Sequence, residues 1–259
     1  MKRKKEISGK NFCMFVLTSV LPFISMVYVH EAHAFDTKTV NIAIYRGSAG
    51  CKGCSEMVAK SLRETGLNLS ISYIGEKETL KINDKNLKKF ELYIQPGGGQ
   101  DIPAAYNAIG DDSADAIRRF VNSGKNYLGI CMGAYLADRD WIGLINSQLN
   151  SEVGRPGSDA SDEGDYTFSI SWDDKKESVY YQDGPYFENS SLSSGFKPIA
   201  YYNNKDVAMA AYSYGKGKVV LTGPHLEADE SWINTNEPGY IPARNKMKRL
   251  LEYFHIING

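Results

Sequence analysis

The chain has 259 residues, of which 42% are hydrophobic and 24% charged, enough to bury the core of one sizeable globular domain. Basic and acidic residues nearly balance, and the formal net charge is −1. Nucleic-acid-binding surfaces are usually strongly basic, so this balance excludes nucleic acid as an expected partner.

The N-terminus is typical of a secretory signal. Lys2-Arg3-Lys4-Lys5 gives a positive start, residues 12–29 are almost wholly apolar, and Ala32-His33-Ala34 fits a small-x-small cleavage site. We therefore expect a signal peptide over residues 1–34 and a folded domain over residues 35–259. The protein is then exported, periplasmic or secreted, with no membrane contact after cleavage. An uncleaved membrane anchor is the alternative interpretation of the apolar run.

Strands and helices alternate through the first half of the mature chain. Apolar or β-branched runs predict strands at 40–45, 69–74, 90–94 and 126–130, and helical spacing predicts helices from a Ser55 cap to Thr65 and over 112–123. Residues 77–89 are charged and predict a surface helix or loop. This alternation indicates a parallel sheet covered on both faces, with ligands bound at the carboxyl ends of its strands.

The second half of the chain is different in character. Residues 147–164 are polar and glycine-rich and predict a solvated loop. Short aromatic-rich strands are expected at 166–172, 178–181, 199–202, 207–214 and 218–222, followed by a final helix over 247–257. Tyr180, Tyr181, Tyr186 and Phe187 are expected either to line a pocket or to pack on a sheet face.

Cys131 is the candidate nucleophile. It lies between Gly129 and Gly133, where a short apolar strand meets a predicted helix. This is the Gly-x-nucleophile-x-Gly elbow, in which small neighbours let the chain close around a residue on a sharp turn. The following helix would favour the thiolate. The alternative is an ordinary core cysteine.

A base and its orienting group follow a later strand. His225 and Glu227 are two residues apart, and in extended backbone such side chains project to the same side. With Cys131 they supply a nucleophile, a base and an orienter. A lone histidine at a strand end is more often an ordinary satisfied polar residue, but His225 follows a strand-Gly-Pro break and is one of only two histidines after residue 34, which favours the functional interpretation.

Gly97, Gly98 and Gly99 follow the predicted third strand. Glycines let backbone N–H groups turn toward a ligand, as an oxyanion hole requires, and the N–H of Met132 would supply a second donor. The alternative is a flexible turn.

These motifs together resemble a known superfamily. Pro96-Gly97-Gly98, the Cys131 elbow and His225-x-Glu227, in this order, resemble the class I glutamine amidotransferase-like proteins. The wider segments resemble the N-terminal-like domain of biotin–protein ligases and its stand-alone, exported bacterial relatives: Asp101-Ile102-Pro103, Tyr127 to Tyr135, Val179-Tyr180-Tyr181-x-x-Gly184-Pro185, and Gly215 to Glu227. The match spans about residues 40–227.

The resemblance implies a flavodoxin-like α/β three-layer sandwich with a mainly parallel central sheet. It also implies Cys131 as nucleophile, His225 as base and Glu227 as orienter, with the oxyanion hole at Gly97, Gly98 and Met132. Biotin ligation is not expected, because no Gly-Arg-Gly-Arg-x-Gly-like loop is found. Neither a cofactor nor a metal is expected.

Two functional hypotheses follow for such a chain. The first is hydrolysis of an amide, peptide or γ-glutamyl bond in a small molecule or peptide, since amidotransferases of the family feed ammonia to a partner synthetase that an exported chain would lack. The second is a non-catalytic ligand-binding or interaction module on the same fold. Any protein partner is unknown.

Cys51 and Cys54 depart from the family pattern. In an exported protein the favoured interpretation of Cys51-Lys52-Gly53-Cys54 is a local disulfide. A thiol–redox site at a helix start is a second interpretation. A metal site formed with Cys131, with or without His225, is a third.

Overall fold

The computed structural model describes residues 38–188 and 194–257, so the expected signal peptide lies outside the described residues. The described chain forms an α/β domain around a nine-stranded sheet with strand order β2-β1-β3-β4-β11-β10-β9-β6-β7, and β5 and β8 form a separate pair. The strands are β1 Val40–Tyr45, β2 Leu69–Ile74, β3 Leu92–Gln95, β4 Asn126–Ile130, β5 Asn150–Ser151, β6 Tyr166–Trp172, β7 Lys175–Tyr181, β8 Pro185–Tyr186, β9 Lys197–Tyr201, β10 Val207–Tyr214 and β11 Gly217–Thr222. The helices are α1 Cys54–Arg63, α2 Asp84–Leu87, α3 Ile102–Ile109, α4 Asp111–Asn122, α5 Met132–Tyr135 and α6 Ala243–Glu252.

Strands β2, β1, β3, β4 and β11 run parallel to one another. Strand β4 is central in this set and is buried along its whole length, as expected for a strand covered on both faces. The carboxyl ends of β3, β4 and β11 therefore lie side by side. The flavodoxin-like fold with a mainly parallel core, predicted from the sequence, is confirmed.

The other half of the sheet is antiparallel. Strands β10, β9, β6 and β7 extend it beyond β11, each antiparallel to its neighbour. In β6, Phe168, Ile170 and Trp172 are buried while the intervening residues are partly exposed, which is the period-2 pattern of a half-buried strand.

Helices cover both faces and create two apolar cores. On one face, Val58 and Leu62 of α1 pack with Leu250 of α6 against alternate residues of the sheet. On the other face, Ile117 and Phe120 of α4 pack against the strand residues that point to that side of the sheet. Because successive strand residues point to opposite faces, each parallel strand supplies both cores.

Three helices differ from the sequence prediction. Ser55 does not cap α1: the helix begins at Cys54 after Gly53, whose φ is 87°, and the Ser55 hydroxyl donates instead to the Tyr45 carbonyl at 2.7 Å. Helix α6 begins four residues earlier than expected, directly after Pro242, and ends at Glu252. The first turn of α6 is mostly polar, so the apolar spacing in the sequence did not indicate that the helix begins there.

Helix α3 was not predicted at all. Asp101 caps it by accepting the Ala104 N–H at 2.9 Å, and Pro103 lies in its first turn. Both are ordinary helix-start signals that the sequence offered.

The polar stretch at 147–164 is also more ordered than predicted. Its residues Asn150 and Ser151 form β5, which pairs antiparallel with β8. This pairing joins the stretch to the segment that follows β7, outside the nine-stranded sheet. Within the part of the chain that the structure describes, no helix is long and apolar enough to cross a membrane.

Candidate active site

Cys131 occupies a strained turn between β4 and α5. Its φ of 50° and ψ of −107° place it in a region that few non-glycine residues adopt. Its N–H donates to the Thr222 carbonyl of β11 at 2.8 Å, which fixes the turn against the neighbouring strand. A Cβ added at Gly129 would overlap the Gly133 carbonyl, and one added at Gly133 would overlap the Gln95 carbonyl. Glycine is therefore required on both sides of Cys131.

Helix α5 spans only Met132–Tyr135. A helix of four residues carries little macrodipole, so the expectation that it would stabilise a Cys131 thiolate finds little support. The positive charge near the sulfur comes from another element.

That charge is carried by His225, which follows β11. His225 and Glu227 are both buried, and Nδ1 of His225 lies 2.8 Å from Oε1 of Glu227. Burial lowers the pKa of His225, but the negative charges of Glu227 and of a Cys131 thiolate outweigh it and raise that pKa from 6.5 to about 10. The raised pKa favours the imidazolium form of His225, in which Nδ1–H donates to Glu227 and the other side of the ring faces Cys131.

Glu227 is itself enclosed by protein. One carboxylate oxygen binds His225, while Oε2 is buried and has no hydrogen-bond partner within the described residues. A buried cation, Lys246 of α6, lies in the same electrostatic network and donates to the Ser178 carbonyl at 3.2 Å. Burial lowers the pKa of Lys246 to about 8, although Glu177 and Glu227 act to raise it.

Two aromatic rings flank His225. Tyr180 of β7 lies 5.4 Å from the imidazole and Trp232 lies 5.5 Å from it, both edge-to-face. The Tyr180 carbonyl also accepts the His225 N–H at 2.9 Å, and the Tyr180 hydroxyl donates to Asp165 at 2.5 Å. These contacts fix both the backbone and the ring of the base.

The three glycines after β3 divide into two roles. A Cβ on Gly97 would overlap the His225 ring, so glycine at this position is needed to leave room for the imidazole. Gly98 and Gly99 instead line the cavity in front of Cys131, together with Met132. Within the described residues, neither the Gly98 N–H nor the Met132 N–H makes a hydrogen bond. The structure thus leaves two donors free beside the nucleophile.

The cavity in front of Cys131 has a volume of about 290 Å³. Its wall combines the glycine loop, the start of α3, the elbow, the β5 region and the turn after β7; the lining residues are Gly98, Gly99, Gln100, Ile102, Cys131, Met132, Tyr135, Leu149, Asn150, Ser151, Glu163, Gln182 and Asp183. Surface depressions of about 400 to 500 Å³ lie elsewhere, and none of these three is lined by Cys131, His225 or Glu227.

Comparison with known proteins agrees with this geometry. Residues 40–142 match the family model described as biotin-protein ligase, N terminal. A chain of the PurLQS structure from Thermotoga maritima superposes with a TM-score of 0.57 at 16% identity, covering 83% of this chain and 98% of that one, which shows a shared fold. The protein therefore contains an amidotransferase-like domain, in which residues 40–142 match the N-terminal model of biotin–protein ligases.

Three curated relatives bear on this amidotransferase-like domain. An uncharacterized protein of Chlamydia muridarum is 28% identical over 61% of this chain and 69% of its own length. The biotin–protein ligase of Schizosaccharomyces pombe is 28% identical over 73% of this chain but only 33% of its own length. The HisH subunit of imidazole glycerol phosphate synthase from Prochlorococcus marinus is 37% identical over 26% of this chain and 33% of its own. For the last two, the similarity thus covers about a third of the relative.

The amidotransferase-like domain also carries a disulfide between Cys51 and Cys54. The Cys51 N–H donates to the Gly97 carbonyl at 3.0 Å, so a backbone hydrogen bond links the disulfide loop to the glycine loop and supports it. Because these two thiols bond to each other, the alternative metal site of Cys51, Cys54 and Cys131 is not assembled. Among the described residues no cluster of His, Cys, Asp or Glu could hold a metal ion.

Sequence reasoning missed several residues of this domain's site. Trp232, Asp183 and Ser151 lie in segments with no recognisable motif. Of the four aromatics considered for the pocket, none lines the cavity of Cys131: Tyr180 packs on His225, Tyr181 stacks on Phe168 with ring centres 4.0 Å apart, and Tyr186 lies under Arg155. Only the paired strands bring these segments to the site.

Proposed function

We propose that this amidotransferase-like protein is an exported hydrolase of amide bonds with a catalytic triad of Cys131, His225 and Glu227. The observation that carries the proposal is the buried His225–Glu227 pair, 2.8 Å apart, beside a cysteine on a strained elbow at the floor of a cavity. A core cysteine needs neither the strained turn nor a buried ion pair at its side.

The chemistry follows from the positions of these groups. The Cys131 thiolate attacks the amide carbon, and the carbonyl oxygen takes the negative charge of a tetrahedral intermediate. The free N–H groups of Gly98 and Met132 stabilise that oxyanion. The His225 imidazolium then protonates the leaving nitrogen, which departs as an amine or ammonia and leaves a thioester on Cys131.

Hydrolysis of the thioester completes the cycle. The neutral His225 takes a proton from a water molecule as that water attacks the thioester carbon, and the carboxylic acid is released with the thiolate restored. Glu227 remains ionised throughout and keeps Nδ1 of His225 protonated and the ring oriented. No step requires a cofactor or a second protein.

We prefer hydrolysis to ammonia transfer because residues 1–34 predict export, away from ATP-driven synthetases. Periplasmic or secreted location and a small-molecule or peptide amide substrate are parts of this proposal. So is the absence of biotin ligation, since the given sequence contains no Gly-Arg-Gly-Arg-x-Gly-like loop.

Alkylation of Cys131 by iodoacetamide across pH 5 to 10 tests the triad before any substrate is known. The disulfide is left intact, because it supports the glycine loop, and labelling is followed on the Cys131 peptide by mass spectrometry. We expect labelling to remain fast at acidic pH because His225 is an imidazolium there, and His225→Ala to slow it strongly below pH 8.

A screen of amide substrates with Cys131→Ala as control completes the test. We expect Cys131→Ala to abolish turnover, with a loss of about 10⁶-fold. Equal labelling profiles in the parent and the His225→Ala protein, or turnover that survives Cys131→Ala, would overturn the triad. A tight ligand at Cys131 with no turnover would support the binding module instead.

A further inference from the structure

The cavity in front of Cys131 carries charge of one sign. Of its described lining residues, only Glu163 and Asp183 have charged side chains, and both are acidic. Neither Lys nor Arg belongs to that lining. The His225 cation is already matched by Glu227 and the thiolate, so it does not neutralise this wall.

Asp183 is held in a fixed position. The Ser151 hydroxyl donates to Oδ1 at 2.6 Å and the Gln100 amide to Oδ2 at 3.4 Å, while the Tyr135 hydroxyl donates to the Asp183 carbonyl at 3.0 Å. All four residues line the cavity. Asp183 takes part in no ion pair among the described residues. Asp183 is thus a carboxylate in the cavity wall that accepts hydrogen bonds from neutral donors and has no cationic partner among the described residues.

Asp183 lines the same cavity as Cys131, and the residue before it contacts the cysteine sulfur. The Cys131 Sγ lies 3.4 Å from the carbonyl of Gln182, the residue that precedes Asp183 in the chain. Because Cys131 and Asp183 line one cavity, an amide bound at Sγ can place a second group against Asp183. The φ of Asp183 is 47°, a conformation that Asp and Asn tolerate better than most residues.

The sign of the charge selects the substrate. A cavity with low-dielectric walls concentrates the electric field of the carboxylates that line it. The cavity therefore attracts cationic ligands and repels anionic ones. An ammonium group supplies donors and charge for the oxygens of Asp183, while a carboxylate next to the scissile amide finds no cationic partner in the described lining.

Building on the hydrolase function proposed above, we infer that the substrate is an amide that carries a free ammonium group and no carboxylate near the scissile bond. Asp183 is the specificity-determining residue, and Glu163 adds to the field from the exposed rim of the cavity. A cationic amide is thereby preferred to a zwitterion such as free glutamine.

Three compounds that share one side-chain carboxamide provide the test. L-Glutamine α-amide has an ammonium group only, L-glutamine has an ammonium and a carboxylate, and N-acetyl-L-glutamine α-amide has neither. Protection of Cys131 from iodoacetamide measures binding without turnover, and ammonia release measures hydrolysis. We expect the α-amide to protect at concentrations at least tenfold lower than either of the other two.

Two matched variants locate the source of the preference. Asp183→Asn keeps the shape and the tolerance of the left-handed turn, and we expect it to reduce the preference to about twofold or less. Glu188→Gln removes the same charge from the same segment outside the Cys131 cavity, and it should leave the preference unchanged.

The outcomes separate this inference from the proposed function. Protection that is equal for the three compounds, strongest for glutamine, or absent for all three overturns the inference, whatever the ammonia release. Selective protection by the α-amide with no ammonia released from any compound upholds the charge selection and counts against hydrolysis of these amides.

Discussion

The parallel and antiparallel halves of the sheet contribute differently to the site. The parallel half, with β3, β4 and β11, presents the glycine loop, Cys131 and His225 at its carboxyl edge. The antiparallel half contributes Tyr180 against His225 and Asp183 in the cavity wall, both from β7 and the turn after it. In the proposed hydrolase, the first half holds the reacting groups, and the second supplies the Tyr180 ring against His225 and the Asp183 carboxylate in the cavity wall.

This division shows how such a fold can separate reaction from selectivity. Reacting groups on adjacent parallel strands are constrained by backbone register, as the overlaps at Gly129 and Gly133 demonstrate. Wall residues on the turns of the antiparallel extension, such as Asp183, lie outside that parallel register. We therefore expect large losses of rate from changes in the parallel half and smaller or selective effects from the antiparallel half.

After removal of the nucleophile itself, the largest effect is expected from Glu227→Gln in the parallel half. Loss of the carboxylate charge removes the main influence that raises the pKa of His225, so that pKa falls below its value of about 10. The imidazolium needed to protonate the leaving nitrogen is then lost at a lower pH, and we expect the hydrolysis rate to drop by about 10³ to 10⁴-fold.

A pH–rate profile measures this change. In the parent protein the rate should decline only as pH rises toward 10, whereas in Glu227→Gln the decline should begin nearer neutrality. Glu230→Gln, which removes an exposed charge three residues away, serves as the control. An unchanged alkaline limb in Glu227→Gln would show that Glu227 does not set the protonation of His225.

A smaller loss is expected from Gly98→Ala. The added Cβ would lie 2.5 Å from the Ala49 carbonyl oxygen and 2.8 Å from Cγ of Met132, so the loop must shift and its N–H leaves the oxyanion position. Loss of one oxyanion donor costs about 10² to 10³-fold in kcat. Gly99→Ala is the matched control, because its Cβ meets nothing within 4 Å. If both variants lose activity equally, the effect is due to loop flexibility rather than to the Gly98 donor.

In the antiparallel half, Tyr180→Ala should lower kcat by about tenfold. The ring contributes an edge-to-face contact to His225, and such contacts are worth about 0.5 to 1.5 kcal/mol. Tyr180→Phe keeps this ring and removes only the hydroxyl that donates to Asp165, so it should retain most of the activity. A loss in Tyr180→Phe as large as in Tyr180→Ala would assign the role to the Asp165 contact instead.

The smallest effect is expected from the disulfide. Replacing both Cys51 and Cys54 by Ser opens a loop whose ends are three residues apart. In the chain-entropy model, the disulfide that closes such a loop contributes about 2 kcal/mol to the free energy of unfolding. We expect urea unfolding to report a loss of that size or less. The rate should fall by only a few-fold, because the Cys51 N–H still reaches the Gly97 carbonyl. A loss comparable to that of Gly98→Ala would make the disulfide a determinant of the oxyanion loop.

The groups of the parallel half could be predicted from the sequence because their constraints are local. The elbow needs glycines two residues either side of Cys131, and the orienter must lie two residues from His225. Each requirement is met within a few consecutive residues, and parallel topology then brings the carboxyl ends of adjacent strands together. The boundaries of α1 and α6 were less predictable, since their ends depend on Gly53 and Pro242 and on packing.

By itself, the sequence determined the α/β class, the parallel core, the candidate triad and its glycine loop, because short motifs and strand periodicity encode them. Only the tertiary structure decided which face His225 presents, that Tyr180 and Trp232 flank it, and that Asp183 and Ser151 build one wall of the cavity. Two of the contacts around the cavity join residues far apart in the chain: Ser151 and Asp183 are 32 positions apart, and Cys131 and Gln182 are 51 positions apart. Such pairings depend on the register of antiparallel strands and turns, and no local pattern specifies that register in advance.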